Sequence, residues 1–214
     1  MTEETTNVPR PEELLNLSVR AFTAATAAKL PIPGGGSVAG VVGGLATALG
    51  EMALAFTRGK KKFAHAQAEH AVLADRLARA RGMFADLTSD DAAAYGLYQE
   101  AKGLPEGPDK QAKSQAALAA AINVPREMTA LALSVLADLR KLGDNCNAYL
   151  LTDLGAGAIL SEAVVRLCDY NVRVNAAMLP DEAAAQELRQ ASARDCAKAA
   201  ELCRQIDQIV SRQV

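Results

Sequence analysis

Residues 31–63 read PIPGGGSVAGVVGGLATALGEMALAFTRGKKKF, and the rest of the chain is organised around this stretch. Two prolines fix a turn. Gly34, Gly35 and Gly36 then allow backbone conformations that a residue with a side chain could not adopt. Ser37 is predicted to cap a helix built almost wholly from glycine, alanine, valine and leucine. Because a glycine turn that opens a helix exposes unpaired N–H groups, it favours an anionic or carbonyl-bearing ligand.

The apolar part of this stretch, residues 38–57, is about long enough to span a bilayer. Glu51 interrupts it, however, and glycine and alanine dominate its composition in place of leucine. No other stretch of the chain resembles a second span. The pattern therefore favours a buried core helix of a soluble protein over a membrane helix, and it predicts no membrane association.

The composition favours a helical protein with a closely packed core. Half of the 214 residues are hydrophobic, aromatic residues make up only 4%, and tryptophan is absent. Alanine and leucine dominate, which favours helices that pack at short distance. With a formal net charge of −2, the chain is not expected to bind nucleic acid or acidic membranes through its overall charge.

The N-terminal residues and the cysteines indicate a cytoplasmic setting. Residues 1–10 are polar and acidic, which predicts a disordered tail and no signal peptide. The four cysteines form no C-x-x-C pair, and no histidine lies at a metal-binding spacing from them. A reduced cytoplasmic protein without a structural zinc site is therefore predicted.

Apolar residues recur at helical spacing along the rest of the chain, and no stretch alternates as a strand does. Pro11 is placed to open the first helix, Pro125 is expected to kink or split another, and Thr152 is expected to cap a third. The sequence predicts an all-α, single-domain bundle of about six to eight helices over residues 11–214, with long antiparallel helices around the buried Gly/Ala-rich helix. The later helices are predicted over residues 64–102, 109–142, 152–179 and 180–212.

The apolar seam of the longest predicted helix contains a carboxylate. The seam steps by four and three residues through Leu73, Leu77, Ala80, Phe84, Leu87, Asp91, Ala94 and Tyr98. An ionised Asp91 on such a seam is unfavourable unless it is paired, hydrogen-bonded or neutralised. Two interpretations stay open: a structural role, with a cationic partner or a helix end turned to solvent, or a functional carboxylate.

A second predicted helix places an amide on its apolar seam. Asn171 continues an apolar stripe at steps of four and three residues, and Asn175 lies one turn further on. A buried amide has to satisfy its donors and its acceptor. Either a bound polar ligand or an interhelical hydrogen bond can do so, and both interpretations stay open.

The stretch quoted above ends in a run of four cations: Arg58, Lys60, Lys61 and Lys62. Such a run is either solvated surface, stabilised by the carboxyl end of the helix, or an anion site. His65 and His70 follow in a charged stretch, and both are predicted to be solvated.

Both ends of the same stretch match one known family. P-x-PGGGS is present at residues 31–37, and GKKK followed by an aromatic residue at residues 59–63. The coupling of these motifs resembles the start of the cyclodeaminase/cyclohydrolase family. That family comprises the C-terminal domain of formiminotransferase-cyclodeaminase and the stand-alone methenyltetrahydrofolate cyclohydrolases.

Further family motifs follow in the same order, and the similarity covers nearly the whole chain from about residue 11. The matches are D-x-x-A-[FY] at residues 91–95, L-P at residues 104–105, N-x-x-x-x-[ST]-D at residues 147–153 and N-V-x-x-N at residues 171–175. Glu106 stands where the family often has lysine, and Tyr149 where it often has a small or polar residue. These departures bear on the identity of the substrate more than on the fold.

The resemblance implies a helical homodimer with a folate pocket near the subunit interface, and it implies no metal and no cofactor beyond the tetrahydrofolate substrate. The chain looks most like the cyclohydrolase, which adds water to 5,10-methenyltetrahydrofolate and forms 10-formyltetrahydrofolate. In this hypothesis Asp91 stabilises the amidinium-like cation and deprotonates the attacking water. Lys61 would polarise the developing oxygen or shuttle the proton.

The resemblance also implies a set of substrate-binding residues. Asp153, Asn171 and Asn175 are expected to pair with the amide-like edge of the pterin. Arg58 and Lys62 are expected to hold the glutamate tail, and the glycine loop to hold substrate through its backbone. The complete predicted set is Gly34, Gly35, Gly36, Ser37, Arg58, Lys60, Lys62, Tyr95, Asn147, Asp153, Asn171 and Asn175.

Three alternatives to the cyclohydrolase remain. The first is the cyclodeaminase reaction, which closes 5-formiminotetrahydrofolate with loss of ammonia at the same bridging carbon. The second is an imine-forming or cyclising enzyme that uses the same scaffold on a non-folate substrate. The third is a helical dimer that only scaffolds partners, in which Asp91 would pair with a structural cation and no concave site would gather the predicted residues.

Overall fold

The computed structural model describes residues 8–212, which form six α-helices and three short 3-10 helices, with no strand in that range. The all-α prediction is confirmed, whereas most of the predicted tail, residues 1–7, lies outside the described residues. The α-helices are α1 (Val19–Ala27), α2 (Gly35–Ala55), α3 (Gln67–Gly103), α4 (Pro108–Asp144), α5 (Leu151–Ala176) and α6 (Glu182–Ser211), and the 3-10 helices are Pro11–Asn16, Lys61–Ala66 and Ala148–Leu150.

The long helices pack side by side, and successive ones run antiparallel. Helix α2 packs against α3, α4 and α5, and α5 also packs against α4 and α6. Arg76 of α3 donates a hydrogen bond to Asp138 of α4 at 2.8 Å, far along both helices from the loop that joins them. This antiparallel arrangement places the start of α2 beside the ends of α3 and α5.

Helix α2 approaches its neighbours closely because glycine faces them. An added Cβ at Gly43 would lie 2.4 Å from the Phe84 ring, and one at Gly50 would lie 2.5 Å from a methyl group of Leu139. Phe84 and Leu139 are both fully buried in the main core. The glycine-rich composition therefore lets large side chains of α3 and α4 lie directly against the α2 backbone.

One side of α2 stays uncovered in this chain, although the helix was predicted to be buried. By length and composition alone, α2 and the segment Ala148–Ala176 would each suffice to cross a membrane, so the sequence prediction of a single such stretch was wrong. Both helices bury their inner faces in the bundle. Glu51, which interrupts α2, pairs with Arg81 of α3 at 2.5 Å.

Two predicted helix starts differ from the structure. Ser37 does not cap α2: Gly34 occupies the N-cap, and Ser37 lies within the first turn. Thr152 lies inside α5, whereas Asn147 caps the preceding 3-10 helix by accepting a hydrogen bond from the Tyr149 N–H. In both places an earlier residue already adopts the extended backbone from which a helix begins.

The prolines also act differently from the prediction. Pro11 opens only a 3-10 helix, and a separate α1 begins after Ser18, whose hydroxyl accepts from the Ala21 N–H. Helix α4 continues through Pro125 without a break. A proline inside a helix removes one hydrogen bond, and here Pro125 is buried between packed helices that hold the segment in place.

The prediction that both histidines are solvated was wrong for one of them. His65 is exposed, but the His70 side chain is only 1% exposed. Its two ring nitrogens have no hydrogen-bond partner within the described residues, and its ring meets the edge of Phe63. His70 occupies a buried position of α3 one turn before Leu73, so it extends the apolar seam by one turn.

Candidate active site

A cavity of about 790 Å³ opens at one end of the bundle, where α2 and α4 begin and α3 and α5 end. This volume lies within the range of small-molecule sites, roughly 300–1,000 Å³. The structure brings a subset of the predicted site residues into its walls. They are Gly34, Gly35, Gly36, Asp91, Tyr95, Asn171 and Asn175.

The side chain of Asp91, which belongs to α3, packs against the first turn of α2. Its Oδ2 accepts a hydrogen bond of 2.8 Å from the Ser37 hydroxyl. A Cβ added at Gly36 would lie 1.9 Å from Oδ1 of Asp91, so only glycine leaves room for the carboxylate at this position. The glycine turn thus gives the carboxylate access to the start of a helix, where unpaired N–H groups and the helix dipole favour negative charge.

The environment of Asp91 makes its carboxylate more basic than usual. Burial raises the pKa of Asp91 above its ordinary value of 3.8, and hydrogen bonds from the hydroxyl and the backbone N–H of Ser37 oppose that rise. In the described residues no cation pairs with Asp91. A basic, half-buried carboxylate that opens into a cavity is suited to take a proton from a bound reactant.

The two amides offer different groups to a ligand. Asn175 donates both of its amide protons to backbone oxygens, one of Ala121 at 3.0 Å and one of Asn171 at 2.9 Å. Asn175 therefore has only its carbonyl oxygen left for a ligand. Asn171 donates one proton to the Leu167 carbonyl at 3.2 Å, which leaves it one N–H donor as well as its oxygen.

Several cavity residues were missed by the sequence reasoning. Tyr98 and Lys102 follow Asp91 and Tyr95 along α3 at steps of four, three and four residues, so all four share one helix face. This spacing is a signal that could have found them. Lys110 comes from the first turn of α4 and pairs with Glu106; nothing in its local sequence indicated that it would line the same cavity as Asp91.

The two tyrosines form one wall of the cavity. Their ring centroids lie 6.2 Å apart, and both rings are partly exposed. Met178 and Leu118 line other parts of the cavity. A flat heterocycle or benzene ring can therefore stack on aromatic side chains while its edges meet the amides.

Of the remaining predicted residues, Ser37 binds Asp91 at the start of α2, and the others lie at the other end of α2 from Asp91. Arg58, Lys60, Lys61 and Lys62 follow the carboxyl end of α2, and Asn147 and Asp153 lie near them at the start of α5. The 21 residues of α2 span about 30 Å. A single subunit therefore does not bring Lys61 to Asp91.

Asn147 has a structural role in this position. Its backbone N–H donates to the Thr57 hydroxyl at 3.0 Å, and its amide donates to the Phe56 carbonyl at 3.3 Å. These bonds attach the end of α2 to the 3-10 helix before α5. Within residues 8–212, no group of three histidine, cysteine, aspartate or glutamate side chains is arranged to hold a metal ion.

The chain belongs to the formiminotransferase-cyclodeaminase family, whose sequence profile matches residues 18–194. Among solved structures, formiminotetrahydrofolate cyclodeaminase from Thermotoga maritima superposes with a TM-score of 0.84 at 28% identity, and the match covers 93% of this chain and 98% of that one. The family resemblance and the helical fold are thereby confirmed.

Named relatives divide between two activities. The methenyltetrahydrofolate cyclohydrolase of Methylorubrum extorquens is 29% identical over 177 residues, which cover 80% of this chain and 85% of that protein. The formimidoyltransferase-cyclodeaminase of Mus musculus is 31% identical over 176 residues, which cover 80% of this chain and 32% of that protein. The chain thus spans about a third of the length of the formimidoyltransferase-cyclodeaminases that it matches.

Proposed function

We propose that this protein is a methenyltetrahydrofolate cyclohydrolase, which adds water to 5,10-methenyltetrahydrofolate and forms 10-formyltetrahydrofolate. The observation that carries the proposal is Asp91, a half-buried carboxylate of raised pKa that faces a cavity and has no cationic partner among the described residues. The similarity to a cyclohydrolase over 85% of that relative's length supports the same activity.

The substrate carries a cation at its bridging carbon, and Asp91 can both stabilise this cation and accept a proton from the attacking water. Its negative charge stabilises the bound amidinium, and its oxygen accepts a proton as a water oxygen bonds to the bridging carbon. In the intermediate, the bond from this carbon to N5 breaks as N5 takes the proton from Asp91. The hydroxyl of the intermediate becomes the formyl carbonyl, and its proton leaves to solvent.

The other cavity residues supply orientation. In this proposal the Asn175 oxygen accepts from an N–H donor of the pterin, and Asn171 both donates and accepts. Tyr95 and Tyr98 stack on the rings, and Lys102, which has no ion pair among the described residues, binds a carboxylate of the glutamate tail. No cofactor other than the tetrahydrofolate substrate is needed for these steps.

The scaffold alternative is not favoured by this geometry. It predicted a structural cation beside Asp91, whereas Ser37 is the residue that binds its carboxylate. It also predicted that no concave site would gather the Gly34, Lys61, Asp91 and Asn175 regions. Three of these regions, those of Gly34, Asp91 and Asn175, do line one cavity, whereas Lys61 lies beyond the other end of α2. The proposed enzyme is a cytoplasmic homodimer whose site lies near the subunit interface.

Absorbance of the methenyl chromophore tests the proposal directly. Purified protein given 5,10-methenyltetrahydrofolate should remove the chromophore faster than the buffer does. The Asp91→Asn variant should lose about 10²–10⁴-fold in rate, while its neighbour Asp90→Asn, an exposed carboxylate, should keep the wild-type rate. Equal rates for wild type and Asp91→Asn, with both folded, would remove Asp91 from the mechanism.

The cyclodeaminase reaction is a second candidate, because relatives in animals and in Dictyostelium discoideum and a solved structure from Thermotoga maritima carry that name. It uses the same bridging carbon and cleaves a carbon–nitrogen bond at a similar tetrahedral intermediate. With 5-formiminotetrahydrofolate as substrate, a cyclodeaminase makes the methenyl chromophore appear. The sign of the absorbance change therefore separates the two, and no change with either folate would favour a non-folate substrate.

A further inference from the structure

A second cavity, here called the α4 groove, adjoins the larger one at the start of α4. It has a volume of about 500 Å³, and its walls are Glu106, Gly107, Pro108, Lys110, Gln111 and Ser114. The last three of these residues also line the larger cavity, so the α4 groove continues it toward the loop between α3 and α4. The reaction steps assigned to Asp91 leave the α4 groove without a role.

The larger cavity is long enough to direct one end of a substrate to the α4 groove. At about 1.5 Å per residue, Lys102 lies roughly 16 Å beyond Asp91 along α3. Lys110 lies a similar distance along α4 from Ala121, whose carbonyl holds the Asn175 amide. A folate whose reacting carbon lies at Asp91 and whose pterin meets Asn175 therefore extends its tail toward the two lysines.

Among residues 8–212, these two lysines are the only cations in the walls of the two cavities, and their surroundings differ. Lys102 is exposed and has no acidic partner within 4.0 Å in that range. Lys110 keeps 27% of its side-chain surface exposed and pairs with Glu106 at 2.5 Å. One of the two cations is therefore free for an anionic ligand, and the other already has an anion beside it.

Glu106, the partner of Lys110, is not needed by the fold. Its side chain is 89% exposed, and an ion pair this exposed contributes little to stability because water solvates both charges. Glu106 also stands where the family often has lysine. Its effect in this chain is therefore to place a negative charge beside Lys110, where a carboxylate of a ligand would otherwise bind.

We propose that Glu106 determines specificity for the length of the substrate's glutamate tail, and that it restricts tight binding of the tail to the first glutamate. This inference rests on the proposed folate activity of the larger cavity. Lys102 binds the carboxylate of the first glutamate. Each further glutamate adds a negative charge and extends into the α4 groove, where Glu106 occupies Lys110 and repels the added carboxylates. Substrates with long tails therefore gain no affinity over substrates with one glutamate.

The Michaelis constants for substrates of two tail lengths test this role. The substrates are 5,10-methenyltetrahydrofolate with one glutamate and with three, and the readout is the KM of the first divided by the KM of the second. For the wild type this ratio should lie near one. Glu106→Gln should raise it about fivefold, since the amide removes the repulsion and frees Lys110 for a tail carboxylate. Turnover of the monoglutamate shows that each variant is folded.

Glu100 supplies a matched control. It pairs with Lys113 at 3.0 Å near the same end of α3, and both side chains are at least half exposed, but Lys113 lines neither cavity in the described part of the chain. Glu100→Gln should therefore leave the KM ratio near the wild-type value. Adding Lys110→Gln to Glu106→Gln should abolish the gain. An unchanged ratio in Glu106→Gln, an equal rise in Glu100→Gln, or a gain that survives the loss of Lys110 overturns the proposed role of Glu106.

Binding without turnover separates this inference from the proposed function. Calorimetric titration with tetrahydrofolate carrying one glutamate and carrying three gives a ratio of Kd values that needs no reaction. Glu106→Gln should raise this ratio about fivefold as well. A wild type that binds the triglutamate about tenfold more tightly than the monoglutamate overturns the specificity role. A shifted Kd ratio in a protein that turns over no reduced folate would instead overturn the proposed reaction and support the binding role.

Discussion

Asp91 shows at the scale of one residue how burial and hydrogen bonding have opposite effects on the pKa of a carboxylate. Burial raises its pKa, and the Ser37 hydroxyl and N–H hold the rise in check by favouring the ionised form. A general base works only when it is deprotonated, so activity should fall as the pH falls through this raised pKa. Burial and the two hydrogen bonds from Ser37 therefore together set where the acid limb of the pH–rate profile lies.

Ser37→Ala should move that acid limb to higher pH. The substitution removes the hydroxyl that binds Oδ2 of Asp91 at 2.8 Å, so the carboxylate gains protons more readily. The measurement is kcat/KM against pH for both proteins. Ser114→Ala removes another cavity hydroxyl, one without a bond to Asp91, and should leave the position of the limb unchanged; an unmoved limb in Ser37→Ala would contradict the argument.

His70 predicts a pH dependence of stability. Burial lowers the pKa of His70 below its ordinary value of 6.5, so the unfolded chain binds a proton more readily than the folded chain. The stability that neutral His70 contributes is therefore complete above pH 6.5 and is lost as the pH falls through the lowered pKa.

His70→Leu should flatten this dependence. Leucine keeps the apolar contacts and leaves no ring nitrogen buried without a partner. Free energies of unfolding from urea titrations between about pH 7.5 and pH 5 should decline more steeply for wild type than for the variant. Parallel slopes would show that protonation of His70 does not contribute.

At the scale of elements, α2 owes its place in the bundle to which glycines face inward. The Gly43 position meets the Phe84 ring, and a Cβ there would come within 2.4 Å, whereas a Cβ at Gly44 meets nothing within 4 Å. Gly43 and Gly44 are adjacent glycines that face in different directions. Substitutions at these two positions can therefore be compared to measure the cost of close helix packing.

Gly43→Ala should destabilise the fold by about 1–3 kcal/mol, because a methyl group would overpack the contact with Phe84. Gly44→Ala should be neutral or stabilise by up to about 1 kcal/mol, since alanine is the better helix former. The midpoint of urea unfolding measures both. Equal midpoints for the two variants would show that the approach of α2 to α3 is not limited by this contact.

At this scale the sequence predicted correctly that the long helices exist, but it did not predict where they begin and end. The four-and-three spacing of Leu73, Leu77 and Phe84 identified the buried face of α3, because those side chains share one face whatever packs on it. Helix α2 begins at Gly35, beside Gly36, which packs against Asp91 of α3, and α4 continues through the buried Pro125. Local propensity does not contain these contacts.

At the scale of the whole molecule, the cavity is made by four helix ends that only the bundle brings together. A ligand that binds the folded form alone stabilises it by RT ln(1 + [L]/Kd), about 2.7 kcal/mol at a hundredfold excess over Kd. A reduced folate should accordingly raise the melting temperature of the wild-type protein. The amides on the cavity wall allow this prediction to be made specific.

Asn171→Leu should lower the folate-induced rise in melting temperature and leave the melting of the free protein little changed. The Asn171 amide donates a hydrogen bond to the Leu167 carbonyl in its own helix, so it does not connect two helices. Asn175→Leu should instead destabilise the free protein by about 1 kcal/mol, because Asn175 binds the backbone of α4. A full folate response in Asn171→Leu would exclude that amide from the binding site.

The sequence by itself determined an all-α protein, a glycine-rich helix that others approach closely, and a carboxylate and two amides on otherwise apolar faces. Each of these is a property of spacing within one helix, where the distance between residues is set by the helix itself. Only the tertiary structure decided that Lys102 and Lys110 join Asp91 at one cavity, while Lys61 lies at the far end of α2. Which helix ends meet depends on how long antiparallel helices pack across the bundle, and no spacing along a single helix records that.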